Sequence, residues 1–373
     1  MPMTANTVWL FVLATLFMTI NGPTQMSYAN GMGFKMKPTG LAFLVAAIAG
    51  IFTGTATPIA GQAAMLTVAG KNRNINERTA ALIISSIGMI ILGAFELISS
   101  AVAIAGAPVM LGMMAGVGLM LTEVGAATML KSNTRTAGIS ILTALLIWGL
   151  TRNLVYTIAS CVLIATLDYL FIQKRRVQVP NLESQTETPR FWTRDYWRTD
   201  DWSVVKPKLN LSAIIGGLSL LTLSIGLTSS FGTINSNIAN VPANLDGLIL
   251  ATGLVNIPSL LFGGAPLVGI ISGTAAAPWP IIGAILLMVI LGLLLLLGVI
   301  IKMCKYIPYE SIAGFLVVIG LFSTFIPNVT GAFATGYNGQ AAIAMAVTFI
   351  TKNPFLGLIA GLSTRIVGSF FGL

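Results

Sequence analysis

The chain has 373 residues, 55% of them hydrophobic and 8% charged, with a mean hydropathy of +0.90. This excludes a soluble globular domain and defines an integral membrane protein. It is helical, because the apolar runs are continuous and not the alternating ~10-residue segments of a barrel. The absence of His excludes His-based proton relays, metal sites and triads, and Cys161 and Cys304 give no disulfide framework or metal-ligand spacing; the net charge of +9 reads as a topology signal.

The first charged side chain is Lys35, and no basic start or small-residue cleavage site is clear, so the first stretch reads as a retained span. Fourteen apolar stretches follow one another at 7–27, 40–56, 58–70, 79–99, 108–130, 137–151, 153–173, 210–231, 246–262, 266–279, 281–301, 309–327, 338–351 and 354–371. Connections are short except at 174–209, which holds eight basic and five acidic residues with Trp192, Tyr196, Trp197 and Trp202. It reads as a solvated linker whose aromatic rings rest at the membrane interface; a regulatory or partner-binding role is the alternative.

The linker divides the chain into two seven-span repeats, 1–173 and 210–373, which resemble each other in order. TINGPTQMSYAN (19–30) aligns with SSFGTINSNIAN (229–240), placing Gly22 on Gly232 and Gln25 on Asn235. TATPIAGQ (55–62) aligns with GGAPLVGI (263–270), placing Pro58 on Pro266 and Gly61 on Gly269. IILG (90–93) matches VILG (289–292), and LGMMAGVGLM (111–120) matches AGFLVVIGLF (313–322), with Gly112 on Gly314 and Gly118 on Gly320. Seven is odd, so the second repeat must run through the bilayer in the opposite sense, the inverted-repeat plan of secondary transporters.

Residues 247–301 carry no charge, yet 262–280 holds Gly263, Gly264, Gly269 and Gly273 with Pro266, Pro278 and Pro280. Each unpaired backbone group in lipid costs several kcal/mol, so irregular backbone belongs where protein buries it or where it lines a cavity. The Gly/Pro-broken spans 3 and 10 hold corresponding places in the two repeats, the pattern that points to a transporter's binding site. Close packing through small residues is the plainer alternative. The candidate substrate-binding residues on spans 1, 3, 8 and 10 are Gln25, Gly61, Gln62, Gly232, Thr233, Asn235, Ile271, Ser272, Gly273 and Thr274. Polar groups inside a bilayer need partners; Ser and Thr can bond to their own helix carbonyls, whereas Asn and Gln cannot do so as easily. Glu123, eight residues before Lys131, is the candidate for proton coupling; the plainer alternative is that it reaches the interface or pairs with a neighbour. Asp246 and Glu310 read as helix-start residues, Glu96 as interfacial, and Arg365 either pairs with a carboxylate or lies near the surface.

DGLILATGLVNIPSLLFGGAPLVGIISG (246–273), APVMLGMMAGVGLML (107–121) and IPYESIAGFLVVIGLF (307–322) resemble the nucleobase–cation symporter family of xanthine, uracil and purine permeases. The resemblance implies extended pieces of spans 3 and 10 crossing near the midplane, each followed by a half-helix, with substrate held between them and span 8. It also implies one bundle moving against the other. The family usually has an acidic residue in span 8, where Gly232 stands here, and Glu or Gln followed by Asn in span 10, where Ser272 and Gly273 stand.

The expectation is therefore a multi-pass inner- or plasma-membrane permease, driven by a proton or sodium gradient, for a nucleobase or similar small planar solute. The alternative is a small anion such as benzoate or sulfate, because the same fold serves both. A homodimer is possible by analogy. No cofactor and no nucleic-acid partner is expected. A channel would need a continuous polar lining, and an enzyme would need convergent titratable groups. No nucleotide-binding motif suggests a pump.

Eighteen of the twenty basic residues follow odd-numbered spans, leaving only Arg152 and Arg365 elsewhere. Basic loops face the cytoplasm, which puts both termini outside, whereas the resembling family generally has them inside. A cysteine engineered after Leu373 is expected to react with an impermeant maleimide on intact cells. Reaction only after permeabilisation would reverse this topology.

Overall fold

The computed structural model describes residues 5–31, 33–61, 74–131, 133–173, 202, 204–303, 306–334 and 338–371. Gln62, the rest of the third span and most of the linker lie outside these residues. The first repeat comprises α1 (Ala5–Gly31), α2 (Met36–Thr53), β1 (Ile59–Ala60), α3 (Ile75–Ala94), α4 (Leu97–Lys131), α5 (Thr134–Thr151) and α6 (Leu154–Leu167), which runs on as a π-helix, Asp168–Ile172. The second comprises α7 (Leu211–Ala239), α8 (Leu245–Leu261), β2 (Val268–Gly269), α9 (Pro280–Leu296), α10 (Val299–Met303), α11 (Ala313–Val318), α12 (Ile326–Ala334), α13 (Asn338–Thr351) and α14 (Pro354–Phe371); a π-helix, Ile319–Phe325, joins α11 to α12. Among the described residues, seven helices are long and apolar enough to span a membrane, and five more are shorter apolar helices. With the two segments around β1 and β2 these account for the fourteen crossings, and the protein is a multi-pass, all-α membrane protein.

Helix ends follow from their caps. α2 stops at Gly54, whose φ of 63° turns its N–H back to the Gly50 carbonyl. Asn244 accepts from Gly247 N at 3.0 Å to start α8, and donates to Thr53 O at 3.0 Å, joining that start to the end of α2. Asp246 does not cap its own helix. Its two oxygens accept from Ile98 N and Ser99 N, at 3.0 and 3.1 Å, and so start α4. α4 breaks at Gly106 (φ 76°, ψ 169°), two residues before Pro108. Pro108 has no N–H for the carbonyl of Ile104, and Arg365 supplies the missing donor at 2.7 Å. The guanidinium is thus a backbone cap, not half of an ion pair. Glu310 accepts from Asn133 N at 3.3 Å, and Glu96 sits at an exposed αL corner with φ 53°.

The helices form two bundles. α2 packs on α9, and α8 on α3, with α7 beside α3; α4 to α6 pack with residues 309–334, α13 and α14. The close contacts are made by glycine, and they obey the internal symmetry. A Cβ on Gly118 would lie 2.7 Å from Gly320 O, and one on Gly320 would lie 2.7 Å from Gly118 O. Gly112 abuts the backbone of Ala341 on α13, and its counterpart Gly314 abuts the backbone of Ser140 on α5. Gly93 meets α8 at Leu250, and its counterpart Gly292 meets α2 at Gly40. Each pair of equivalent positions makes an equivalent contact, as an inverted repeat requires.

Gly106→Ala is expected to cost about 1–3 kcal/mol, because an alanine resists this dihedral and its Cβ would displace Arg365. A lowered thermal midpoint checks this, and an unchanged midpoint would contradict it.

Candidate functional site

β1 and β2 form one two-stranded antiparallel ladder, pairing Ile59 with Gly269 and Ala60 with Val268. The repeat alignment makes Ala60 and Val268 equivalents, so the pseudo-twofold axis runs through their pairing. Two residues from each repeat cannot satisfy the whole broken segment, and side chains supply the rest. Asn256, in the middle of α8, donates to Leu267 O at 2.7 Å and accepts from Leu267 N at 2.8 Å, acting as a third strand. The Thr39 hydroxyl accepts from Ala265 N at 2.7 Å, and the Thr228 hydroxyl from Gly269 N at 3.3 Å. Ile270 N reaches Pro58 O at 3.0 Å, and Ile59 N meets the Met288 thioether at 3.3 Å.

Asn235 on α7 is the centre of this arrangement and is fully buried. Its Nδ2 donates to Ile270 O at 2.8 Å and to the Thr57 hydroxyl at 3.2 Å; its Oδ1 accepts from Ser272 N at 3.1 Å. One amide therefore ties α7 to the extended segments of both repeats. Ser272 then caps a short 3-10 turn, Gly273–Ala276, by accepting from Thr274 N at 3.2 Å; the two hydroxyls lie 2.7 Å apart. The half-helix implied for span 10 is not formed. Pro278 and Pro280 follow too closely for an α-helix to extend, and α9 begins at Pro280.

The other expected site residues divide. Gly61 follows β1 with the methyl of Met26 against its Cα, and Gly273 faces Ile158 of α6 and Met18 of α1. Ile271 is buried beside them. Gly232 points elsewhere, onto Leu245 and Leu248 of α8, because that face of α7 packs within its own bundle. Thr233 donates to its own helix at Ser229 O, 2.9 Å away. Gln25 lies in α1 by its backbone, and its side chain, like Gln62, is outside the described part. Glu123 forms an ion pair with Lys352 in the turn between α13 and α14, not at the crossing. Beside the crossing, between α1, the ladder and α9, lies a cavity of ≈ 20 Å³ lined by Met18, Met26, Phe43, Gly61, Ile270 and Leu291. That is room for about one water. Among the described residues, the crossing is closed around its own backbone bonds.

Asn256, Thr39 and Thr228 were not singled out in the sequence. Asn256 was the legible one, an amide in the middle of an apolar span. The two threonines carry no signal that separates them from those bonding only to their own helices.

No family model matches the chain, and no curated protein matches it. Solved structures do match. The transmembrane domain of a cyanobacterium bicarbonate transporter, BicA, is similar over 96% of this chain and 98% of that one, with 14% identity and a TM-score of 0.57. The murine Solute Carrier 26 family member A9 anion transporter, in its inward-facing state, is similar over 100% of this chain and 70% of that one, with 12% identity and a TM-score of 0.59. A further structure of SLC26A9 gives 12% identity, coverages of 98% and 66%, and a TM-score of 0.55. The class is thus settled at the level of fold: a polytopic membrane protein of the seven-plus-seven inverted-repeat type. The particular family of nucleobase permeases suggested by the motifs at 246–273 finds no support in these matches.

Asn235→Ala is expected to lower thermal stability markedly, because it strands buried backbone groups at Ile270 and Ser272, each costing about 1–3 kcal/mol. Thr233→Val should be nearly neutral in the same melt. Equal effects of the two substitutions would remove the distinction drawn between them.

Proposed function

We propose that the chain is a secondary transporter of a small anion, working by movement of one bundle against the other. The chemistry of the crossing carries this reading. The described residues that build it, 5–31, 33–34, 54–61, 211–239 and 262–280, contain none of the 11 acidic residues of the chain. A nucleobase presents N–H donors along its edge and needs a carboxylate or an amide acceptor, and the Asn235 oxygen is already taken by Ser272 N. An anion needs only donors, which the hydroxyls of Thr57, Ser272 and Thr274 and the backbone of the broken segments can offer once the crossing opens. The resemblance in fold to bicarbonate and other anion transporters supports the same reading, although a fold is compatible with several substrates. Glu123 is balanced by Lys352 and lies away from the crossing, so the proposal assigns it no coupling proton.

Thermal melts of the purified protein test this with bicarbonate, sulfate, chloride, benzoate, uracil and xanthine. A ligand at ~100 times its dissociation constant adds ~2.7 kcal/mol to the folded state. The expected result is an upward shift with at least one anion and none with either nucleobase. A shift confined to a nucleobase would return the assignment to the permease reading.

A further inference from the structure

The turns joining α5 to α6 and α13 to α14 have nearly the same sequence, Thr151-Arg152-Asn153 and Thr351-Lys352-Asn353. They are built alike. Arg152 and Lys352 adopt φ of 52° and 56°. Each threonine hydroxyl accepts from the asparagine N–H two residues on, at 3.2 and 3.3 Å, and each asparagine Oδ1 caps the next helix, at Val155 N and Phe355 N. The inverted repeat places the two turns on opposite faces of the membrane.

Their surroundings differ. Asn353 Nδ2 donates to the Thr222 hydroxyl of α7 at 3.1 Å, so this turn reaches the other bundle. Gly226, one turn further along α7, leaves the space that Pro354 and Phe355 occupy. The same turn is anchored in its own bundle by the Lys352–Glu123 ion pair and by Lys352 lying 3.9 Å from the Phe349 ring centre. Asn353 is buried and Thr222 half-buried, so water competes little with their hydrogen bond. In the first repeat the position equivalent to Thr222 is Val12, by the alignment of Gly22 on Gly232, and a valine side chain offers no acceptor.

We propose that the Lys352-Asn353 turn and Thr222 form a one-sided latch between the two bundles, holding them in the conformation seen here, which must release for the bundles to move. This rests on the two-bundle movement of the proposed function. The asymmetry gives the transport cycle a built-in bias: one of its two mirror-related states has a bond that the other lacks.

The test uses the full chain in lipid nanodiscs, with Cys161→Ala and Cys304→Ser and a single reporter, Ser230→Cys. Ser230 is fully buried, one turn beyond Gly226 on the same face of α7 as Thr222. Its maleimide labelling rate reports opening between the bundles. Thr222→Val should label about 2- to 12-fold faster, the fold-change of losing one neutral hydrogen bond. Thr222→Ser, which keeps the acceptor, should label at the parent rate. A parent rate in Thr222→Val, or equal acceleration in both variants, would overturn the latch. Labelling needs no substrate, so this outcome is separate from the ligand melts that decide the transport reading.

Discussion

The structure depends on one constraint: a peptide group in lipid must find a partner, and two segments of this chain give up helical bonding inside the bilayer. Neither segment can be satisfied alone. Pairing Ile59-Ala60 with Val268-Gly269 meets part of the need, and it does so only because one repeat is inverted, which makes the meeting strands antiparallel. The remaining donors and acceptors are met by Asn256, Asn235, Thr39 and Thr228, each set on a neighbouring helix at the height of the strand it serves. The placing of Asn235 and Thr228 along α7 and of Asn256 along α8 follows from that requirement.

The second determinant is close approach. Without a hydrophobic drive between helices in lipid, contact comes from small residues that let backbones meet. Here those residues occur as symmetric sets, Gly118 with Gly320, Gly112 with Gly314 and Gly93 with Gly292. The rule departs from symmetry where α11 passes into a π-helix at Ile319–Phe325. Thr122 donates to Gly118 O within a regular helix, whereas its counterpart Thr324 is buried with no partner for its hydroxyl among the described residues. The two repeats share a plan but not every bond.

Much of this was legible in the sequence. Continuous apolar runs located the crossings, the order of glycines revealed the repeat, and the paired Gly/Pro segments marked where helix gives way to strand. The site residues were less legible for a physical reason. A buried amide such as Asn235 announces that something polar lies beside it, not whether that partner is substrate or protein, and here it is two backbone groups and the Thr57 hydroxyl. Thr233 and Gly232 stand near Asn235 in sequence but on other faces of the helix, which short motifs do not resolve. The half-helix expected after β2 does not form, because Pro278 and Pro280 follow it too closely. The deficit behind the anion proposal, the missing carboxylates, was also readable, although the motifs at 246–273 pointed toward nucleobases.

The meeting of Gly118 and Gly320 limits how the two halves can diverge. A new side chain at Gly118 would strike the backbone of Gly320 and Phe325, and one at Gly320 would strike the Gly118 carbonyl as well as the Thr122 hydroxyl. A compensating substitution in the other repeat can shorten Thr122 but cannot remove a backbone atom. Full suppressors of a bulky residue at Gly118 or Gly320 must therefore shift a whole helix. The two glycines tie the histories of both repeats together through backbone contact.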